Sequence, residues 1–317
     1  MPVVAVAGGT GKLGRAIVDG INATGKFEVV VLARELSRHY TQANDEKAKE
    51  IGARIIAVDY SSPDALASVL TANNAEIAIS ALSSQSPPEQ EFNLMKGADK
   101  SSVTKRYIPS TWGIPYTEEI ASYFPPAAIK VSYLEALEST SLEWTTIVNG
   151  YFLDYYGAPK VKTYMPPMAL AIDLASNVAA IPGSGDVPVV FTHTFDIGKF
   201  VAALLMKDKW EKESFIIGDK VTLNEFVKVA EDVKKTKFTV THDSMDMLKS
   251  GQITELPSHP TFYPFFPKQM LQEIFAAFRI MFENGVFDLK PSSTLNDEFP
   301  NIKPKTVKEL VSEAYGA

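Results

Sequence analysis

The stretch VAVAGGTGKLGRAIV, residues 4–18, limits the possible folds of this chain more than any other segment. Residues 3–7 form a run of small apolar side chains of the length of a buried strand. Residues 12–21 then carry a helical period through Leu13, Ile17 and Ile21. Gly8, Gly11 and Gly14 stand at the change of period. Gly8 permits a tight turn, Gly11 lets a diphosphate reach bare backbone, and Gly14 lets the new helix pack closely. Amides of the helix start would face the anion. A plain strand-turn-helix that uses its glycines for conformation alone is the other reading of the motif by itself.

Beyond the glycines the chain alternates strand-like and helix-like segments. FEVVVLAR (27–34), ARIIAVD (53–59), AEIAISAL (75–82), KRYIPS (105–110) and LEWTTIVN (142–149) read as strands, with DEKAKEIG, SPDALASVLTAN and EQEFNLMKGADKSS as helices between them. That order predicts an α/β fold, a Rossmann-like doubly wound parallel sheet, joined to a smaller α+β domain for substrate. Residues 1–150 plus about 194–218 are expected to form the dinucleotide-binding part, and 151–193 with 219–317 the substrate part. Ligands bind such sheets at the carboxyl ends of the strands, where loops 8–11, 34–38 and 80–86 gather.

Composition narrows the classes. A chain of 317 residues, 45 % of them hydrophobic, can bury a full core. With no cysteine, disulfides, thiolate metal sites and a cysteine nucleophile are excluded. The four histidines have no metal-ligand spacing, so no metal is expected. A net charge of −7 without a basic run argues against direct nucleic-acid binding. The most apolar stretch, near 168–181, is broken by Asp173 and Asn177, so no membrane span is expected. Met1-Pro2-Val3 has no basic signal region, and the cytoplasm is the expected location. The oligomeric state is left open.

The second strand ends in Arg34, with Arg38 four residues on and Lys12 and Arg15 near the glycine turn. An acidic residue at that strand end would favour NAD. Cations there favour a 2'-phosphate, hence NADP(H), and one charge-assisted bond of roughly 1.5–3 kcal/mol changes affinity about ten- to a hundredfold. Lys12 and Arg15 fit an ordinary solvated surface equally well. Asp59 either meets the adenine amine or caps the helix that begins near Pro63.

The tyrosine–lysine spacing of short-chain dehydrogenases occurs only in YGAPK, Tyr156 to Lys160. Glycine and proline inside it argue against the helix that would bring the two side chains together. PPAAIKVSYLEALEST (125–140) is the better candidate. Its prolines suit a helix entrance, and Lys130, Leu134 and Leu137 share one face with Tyr133 nearby. An ammonium among leucines needs a partner such as a ribose hydroxyl, or else it snorkels from the helix edge.

In the second half, NVAAIPGSGDVPVVFTH reads as two strands about a Gly-Ser-Gly-Asp turn, DIGKFVAALLMKD as an amphipathic helix, and SFIIGD as a strand added to the nucleotide part. Between His259 and Phe282 lie seven phenylalanines or tyrosines. They either line a pocket for a flat substrate or form a helix core over 268–282 after a proline-rich loop, with His259 a loop residue.

GGTGKLG, VLAR, RYIPSTWG, AAIKVSYLEALE, WTTIVNGYFLDYY, FTHTFDIGKFVAALL and LNDEFPNIKPKTVKEL together resemble the NmrA-like and isoflavone reductase-like family of atypical short-chain dehydrogenases, its fungal branch above all. The likeness covers nearly the whole chain. Members commonly follow the fifth strand with proline, serine, an acidic residue, an aromatic and glycine. Pro109, Ser110, Trp112 and Gly113 match this pattern, while Thr111 departs from it. The resemblance implies that the turn from Gly8 to Gly14, with Thr10, Gly11, Lys12 and Leu13, holds the diphosphate. Arg34 and Arg38 would hold the 2'-phosphate, with Ala81, Leu82 and Ser83 along the dinucleotide. Asn149, Gly150, Tyr151 and Phe152 would lie beside the nicotinamide. Lys130 would contact its ribose and assist proton transfer, with Tyr133 and Tyr151 as further candidates for the proton. The implied activity is NADPH-dependent reduction of a small aromatic or polyketide-like enone, ketone or imine of secondary metabolism. The alternative is a non-catalytic NADP(H)-sensing regulator that binds a protein partner.

Overall fold

The computed structural model describes residues 1–34 and 41–316, with side chains for all of these but 41–45. The first part of the chain runs β1 (Val3–Ala7), α1 (Lys12–Asn22), β2 (Glu28–Arg34), α2 (Thr41–Ile51), β3 (Arg54–Val58), α3 (Pro63–Ala72), β4 (Ala75–Ser80), α4 (Pro88–Lys100), β5 (Arg106–Ile108), α5 (Glu118–Tyr123), α6 (Pro126–Glu138), β6 (Glu143–Trp144) and β7 (Thr146–Val148). Six strands pair in the order β3-β2-β1-β4-β5-β6, all parallel. This is the doubly wound Rossmann order, with its switch point between β1 and β4. At that point Ala7 faces Leu32 on one side and Ser80 on the other.

Every residue of β1 is buried, as expected for a central parallel strand covered on both faces by helices. On one face Leu66 and Leu70 of α3, Leu94 and Met95 of α4 and Tyr133 and Leu137 of α6 pack with Ala5, Ala7, Val30 and Leu32. The segment expected as one strand over 142–149 is divided. β6 continues the main sheet, whereas β7 pairs in parallel with a separate strand, Glu213–Phe215. Thr145 lies at the break, its hydroxyl 2.9 Å from that of Ser214.

The chain divides into two compact units. The first comprises Met1–Val148, Thr194–Ile216 and Leu295–Ile302, and the second Asn149–His193, Ile217–Thr294 and Lys303–Ala317. The divisions thus fall after Val148 and Ile216, and the short piece Leu295–Ile302 returns to the first unit. Within the first unit the helix Thr194–Leu204 lies directly on α1. A Cβ on Gly20 would stand 2.4 Å from the Gly198 carbonyl carbon, and one on Gly198 would stand 2.3 Å from the Ala16 carbonyl oxygen.

The second unit holds two three-stranded sheets. The strands on either side of the Gly-Ser-Gly-Asp turn, Val178–Pro182 and Pro188–Thr192, do not pair with each other. The first pairs with Thr239–Asp243 and Ile172–Asp173, the second with Asp219–Thr222 and Tyr151–Phe152. The helix Lys268–Glu283 supplies Leu271, Phe275, Ala276, Met281 and Phe282 to the core of this unit.

The glycine contact between the two helices of the first unit yields a stability prediction. Gly198→Ala inserts a methyl group into backbone, so it should cost about 1–3 kcal/mol and lower Tm in thermal unfolding. An unchanged Tm would show that the helices separate without cost.

Candidate functional site

The turn after β1 is built by what its glycines lack. Gly8 adopts φ +75°, and a Cβ there would stand 2.5 Å from the Ala81 carbonyl oxygen, just beyond β4. A Cβ on Gly14 would stand 2.2 Å from the Gly8 carbonyl oxygen, so only glycine lets α1 start over the turn. Gly11 is different. Its only near neighbour is the Gly8 oxygen at 3.2 Å, and it is exposed. Gly11 is the N-cap of α1 and no side chain caps that end. Thr10 and Lys12 are exposed and Leu13 half-buried beside it. The result is a helix start with open backbone donors at the switch point of the sheet, a geometry suited to a diphosphate.

The cations beside the turn do not act as one group. Arg34 ends β2 exposed. Arg38 lies outside the described residues. Arg15 is buried, and its guanidinium donates to the Glu50 carbonyl at 2.6 Å and to Asp19 at 3.0 Å. It ties α1 to α2 and is turned away from any phosphate role. Asp59 does not cap α3, because Ser62 does so by accepting from the Ala65 amide at 3.2 Å. The exposed Asp59 instead receives the Ser61 hydroxyl and amide, which hold its carboxyl below the usual range.

A second cluster forms where β4 and β5 end. Ala81 donates to the Ala7 carbonyl at 2.9 Å, and the Leu82 carbonyl accepts from the Ser110 hydroxyl at 2.8 Å. Ser83 is exposed and orders its own loop by accepting from the Gln85 amide. Lys130 of α6 reaches this edge and donates from Nζ to the Ser110 carbonyl at 2.5 Å. Burial pushes the Lys130 ammonium below its ordinary pKa, against the pull of Glu91. The Tyr133 ring lies 5.2 Å from Nζ and packs edge-on to Phe92. Burial pushes the Tyr133 phenol up to about 12, and it belongs to the hydrophobic core. The Tyr133 ring thus forms an aromatic wall beside the ammonium.

Glu91 escapes a reading by sequence pattern. It stands in the first turns of α4 like any solvated helix carboxylate, yet only 2 % of it is exposed. No local signal separates it from its neighbour Glu89. Only the register of α4 against β4 and β5 buries it.

In the second unit, Asn149 is fully buried and its carbonyl accepts the Thr192 hydroxyl at 2.6 Å. Gly150 has φ +73°, and a Cβ there would stand 2.2 Å from the Val190 oxygen. Tyr151 and Phe152 pair with Phe191 and Thr192. Six aromatic rings surround Tyr151, those of Tyr155, Tyr156, Phe191, Phe278, Phe282 and Phe287. Burial holds its phenol well above the ordinary range. Phe275, Phe278 and Phe282 of the aromatic-rich segment are thus largely core, although Phe265 is 79 % exposed. His259 is buried, with Nε2 2.9 Å from the Ala169 carbonyl and Nδ1 accepting from the Leu256 amide. The helix that contains Tyr156 ends at Gly157, and Lys160 points its Nζ over the Tyr315 ring, 3.8 Å from the centroid.

With this geometry in view, comparison with known proteins is informative. The model of the NmrA-like family matches residues 2–311. Oxidoreductase BOA1 of Botryotinia fuckeliana is 35 % identical over 306 residues, covering 95 % of this chain and 95 % of that protein. Oxidoreductase swnN of Metarhizium robertsii is 28 % identical over 343 residues, covering 99 % and 98 %. Among solved structures, the binary complex of leucoanthocyanidin reductase with NADPH from Vitis vinifera is similar in fold, with TM-score 0.74 and 20 % identity over 99 % of each chain. No described helix is long and apolar enough to cross a membrane.

The Tyr156 hydroxyl is buried without a hydrogen-bond partner among the described residues. Tyr156→Phe removes an unsatisfied group, so turnover should stay within about twofold and Tm should hold or rise. An inactive, folded variant would restore Tyr156 to the chemistry.

Proposed function

The chain belongs to the NmrA-like family, and from that premise we propose that it is an NADPH-dependent oxidoreductase that reduces a small aromatic or polyketide-like enone, ketone or imine. One observation carries the reading. At the carboxyl edge of a Rossmann sheet, a glycine turn without Cβ atoms faces the switch point, and a half-buried ammonium, Lys130, is held on the same edge by a backbone carbonyl. The first feature suits a dinucleotide and the second suits proton management.

Bound NADPH supplies the hydride. The protein's own residues orient and neutralise. The open amides of Lys12, Leu13 and Gly14, with Thr10 and Gly11, would receive the diphosphate, and the exposed Arg34 at the end of β2 would receive the 2'-phosphate. Ala81, Leu82 and Ser83 would flank the dinucleotide from the end of β4, and Asp59 the adenine side. Asn149, Gly150, Tyr151 and Phe152 would form the wall on the nicotinamide side. Lys130 would hold the ribose and stabilise the charge that develops on the substrate, giving a proton directly or through water. Its lowered pKa places that proton closer to the working range than an ordinary lysine's. The relatives named as oxidoreductases support catalysis over cofactor sensing alone.

The test is calorimetric titration with NADPH, NADP+, NADH and NAD+, run beside NADPH oxidation over a panel of aromatic enones, ketones and imines. Tight NADPH binding with turnover is expected; tight binding with no turnover of any compound would favour a sensor, and no binding would remove both readings. Arg34→Ala should weaken NADPH by about ten- to a hundredfold and leave NADH nearly unchanged, whereas equal losses would refute the phosphate role. Lys130→Ala should abolish turnover while circular dichroism stays native. In the wild type, turnover that needs the protonated ammonium should fall on the alkaline side, with a midpoint below 10.5 because burial lowers the Lys130 pKa.

A further inference from the structure

Among the described residues, Glu91 is the one carboxylate of the first unit that is buried beneath the edge carrying Lys130, and it has no task in the proposed reaction. A carboxylate is buried only where donors replace its water. Glu91 has three donors, each from a different place. The Ser80 hydroxyl at the end of β4 donates to Oε2 at 2.5 Å, the Tyr107 hydroxyl of β5 donates to Oε1 at 2.9 Å, and the Ser110 amide donates to Oε1 at 3.1 Å. The set is directed inward and suits an ionised carboxylate, which can only accept; burial pushes the Glu91 carboxyl above its ordinary pKa, and these donors together with the Lys130 ammonium oppose that rise. Ser110 is therefore held on both sides. Its amide gives to Glu91 and its carbonyl receives the Lys130 ammonium. The two bonds sit on consecutive peptide units joined at the Ser110 Cα, so the carboxylate and the ammonium fix that residue from both sides. The same carboxylate also steadies the backbone near Leu82, since Ser80 and Ser110 both bind that stretch.

The geometry points to Glu91 as the positioning residue of Lys130: through Ser110 its buried negative charge sets where the ammonium sits and keeps it protonated. This inference rests on the proton-handling role assigned to Lys130. Glu91 is buried behind Ser80 and Ser110 and so acts through Lys130. The other titratable groups around the pair are Tyr60 after β3, Tyr107 on β5, Glu89 on α4 and Tyr133 on α6, with Arg34 acting on Tyr60. The three tyrosines remain neutral because burial raises their phenols. Glu91 is the charge that raises the Lys130 pKa against the effect of burial.

Glu91→Gln keeps the shape and an acceptor for Tyr107 and Ser110 while it removes the charge. Competitive acetylation with acetic anhydride across pH, read by mass spectrometry at Lys130, reports the protonation of that amine in the whole protein without substrate or cofactor. The labelling midpoint of Lys130 in Glu91→Gln is expected to fall by about one pH unit, making Lys130 about tenfold more reactive at a pH below both midpoints. The alkaline limb of kcat should move down by the same amount. Should Glu91→Gln not fold, Tyr107→Phe, which takes away one donor from the carboxylate, is expected to shift the profile in the same direction. A folded variant that labels Lys130 along the wild-type profile would overturn the proposal. Full turnover by Lys130→Ala would instead sink the catalytic reading of the lysine, and the labelling result would stand apart from it.

Discussion

The contact between Gly14 and the carbonyl of Gly8 is the constraint on which the first unit depends. Because no side chain stands there, α1 begins directly over the turn that ends β1, and its first amides open toward the crevice between β1 and β4. The opposite side of the turn is equally close, since Gly8 leaves no room for a Cβ against Ala81. Two strand ends and a helix start thus meet at backbone distance. Farther along α1, Gly20 and Gly198 repeat the device and seat the helix Thr194–Leu204 against it. Such contacts tolerate no relaxation, because the opposing atoms are backbone rather than the ends of flexible side chains.

Charge is buried in each unit by the same physical rule. In the first unit, Glu91 is satisfied by a serine, a tyrosine and an amide. In the second, the fully buried Arg279 donates to the Leu170 carbonyl and to Asp243, and Asp243 also accepts the Thr254 amide and hydroxyl. Burial lowers the Arg279 pKa to about 10, and the attraction of Asp243 opposes that shift. Either ion without its partners would be strongly destabilising, so each network fixes a single arrangement of the strands and helices that contribute to it.

Features that rest on local covalent geometry or on a short period were legible in the chain. The glycine turn, the alternation of strands and helices and the weakness of the Tyr156–Lys160 spacing all depend on residues within a few positions of each other. Features that depend on what lies across a sheet were not. Arg15 read equally as a phosphate contact or a solvated surface cation, and neither reading anticipated that α2 would bring the Glu50 carbonyl to it. Asp59 read equally as an adenine contact or a cap of α3, and the cap falls to Ser62, which stands at the position whose hydroxyl meets the first-turn amides. Tyr133 and Tyr151 were candidates for the proton, but their burial among aromatic and aliphatic side chains, which raises both phenols, was not legible in the chain. The two strands about the Gly-Ser-Gly-Asp turn were found at the right places, but each pairs with strands distant in sequence.

The sequence by itself therefore determined the class of fold, the position of the glycine turn, the exclusion of thiol chemistry and the lysine worth examining. Each of these follows from residue type and near-neighbour spacing, where sterics and periodicity act. The tertiary structure alone decided which charges are free and which are spent on packing. Burial and the partners that compensate it are set by strand order and helix register, and these join residues such as Ser80, Glu91, Ser110 and Lys130 that no local pattern connects.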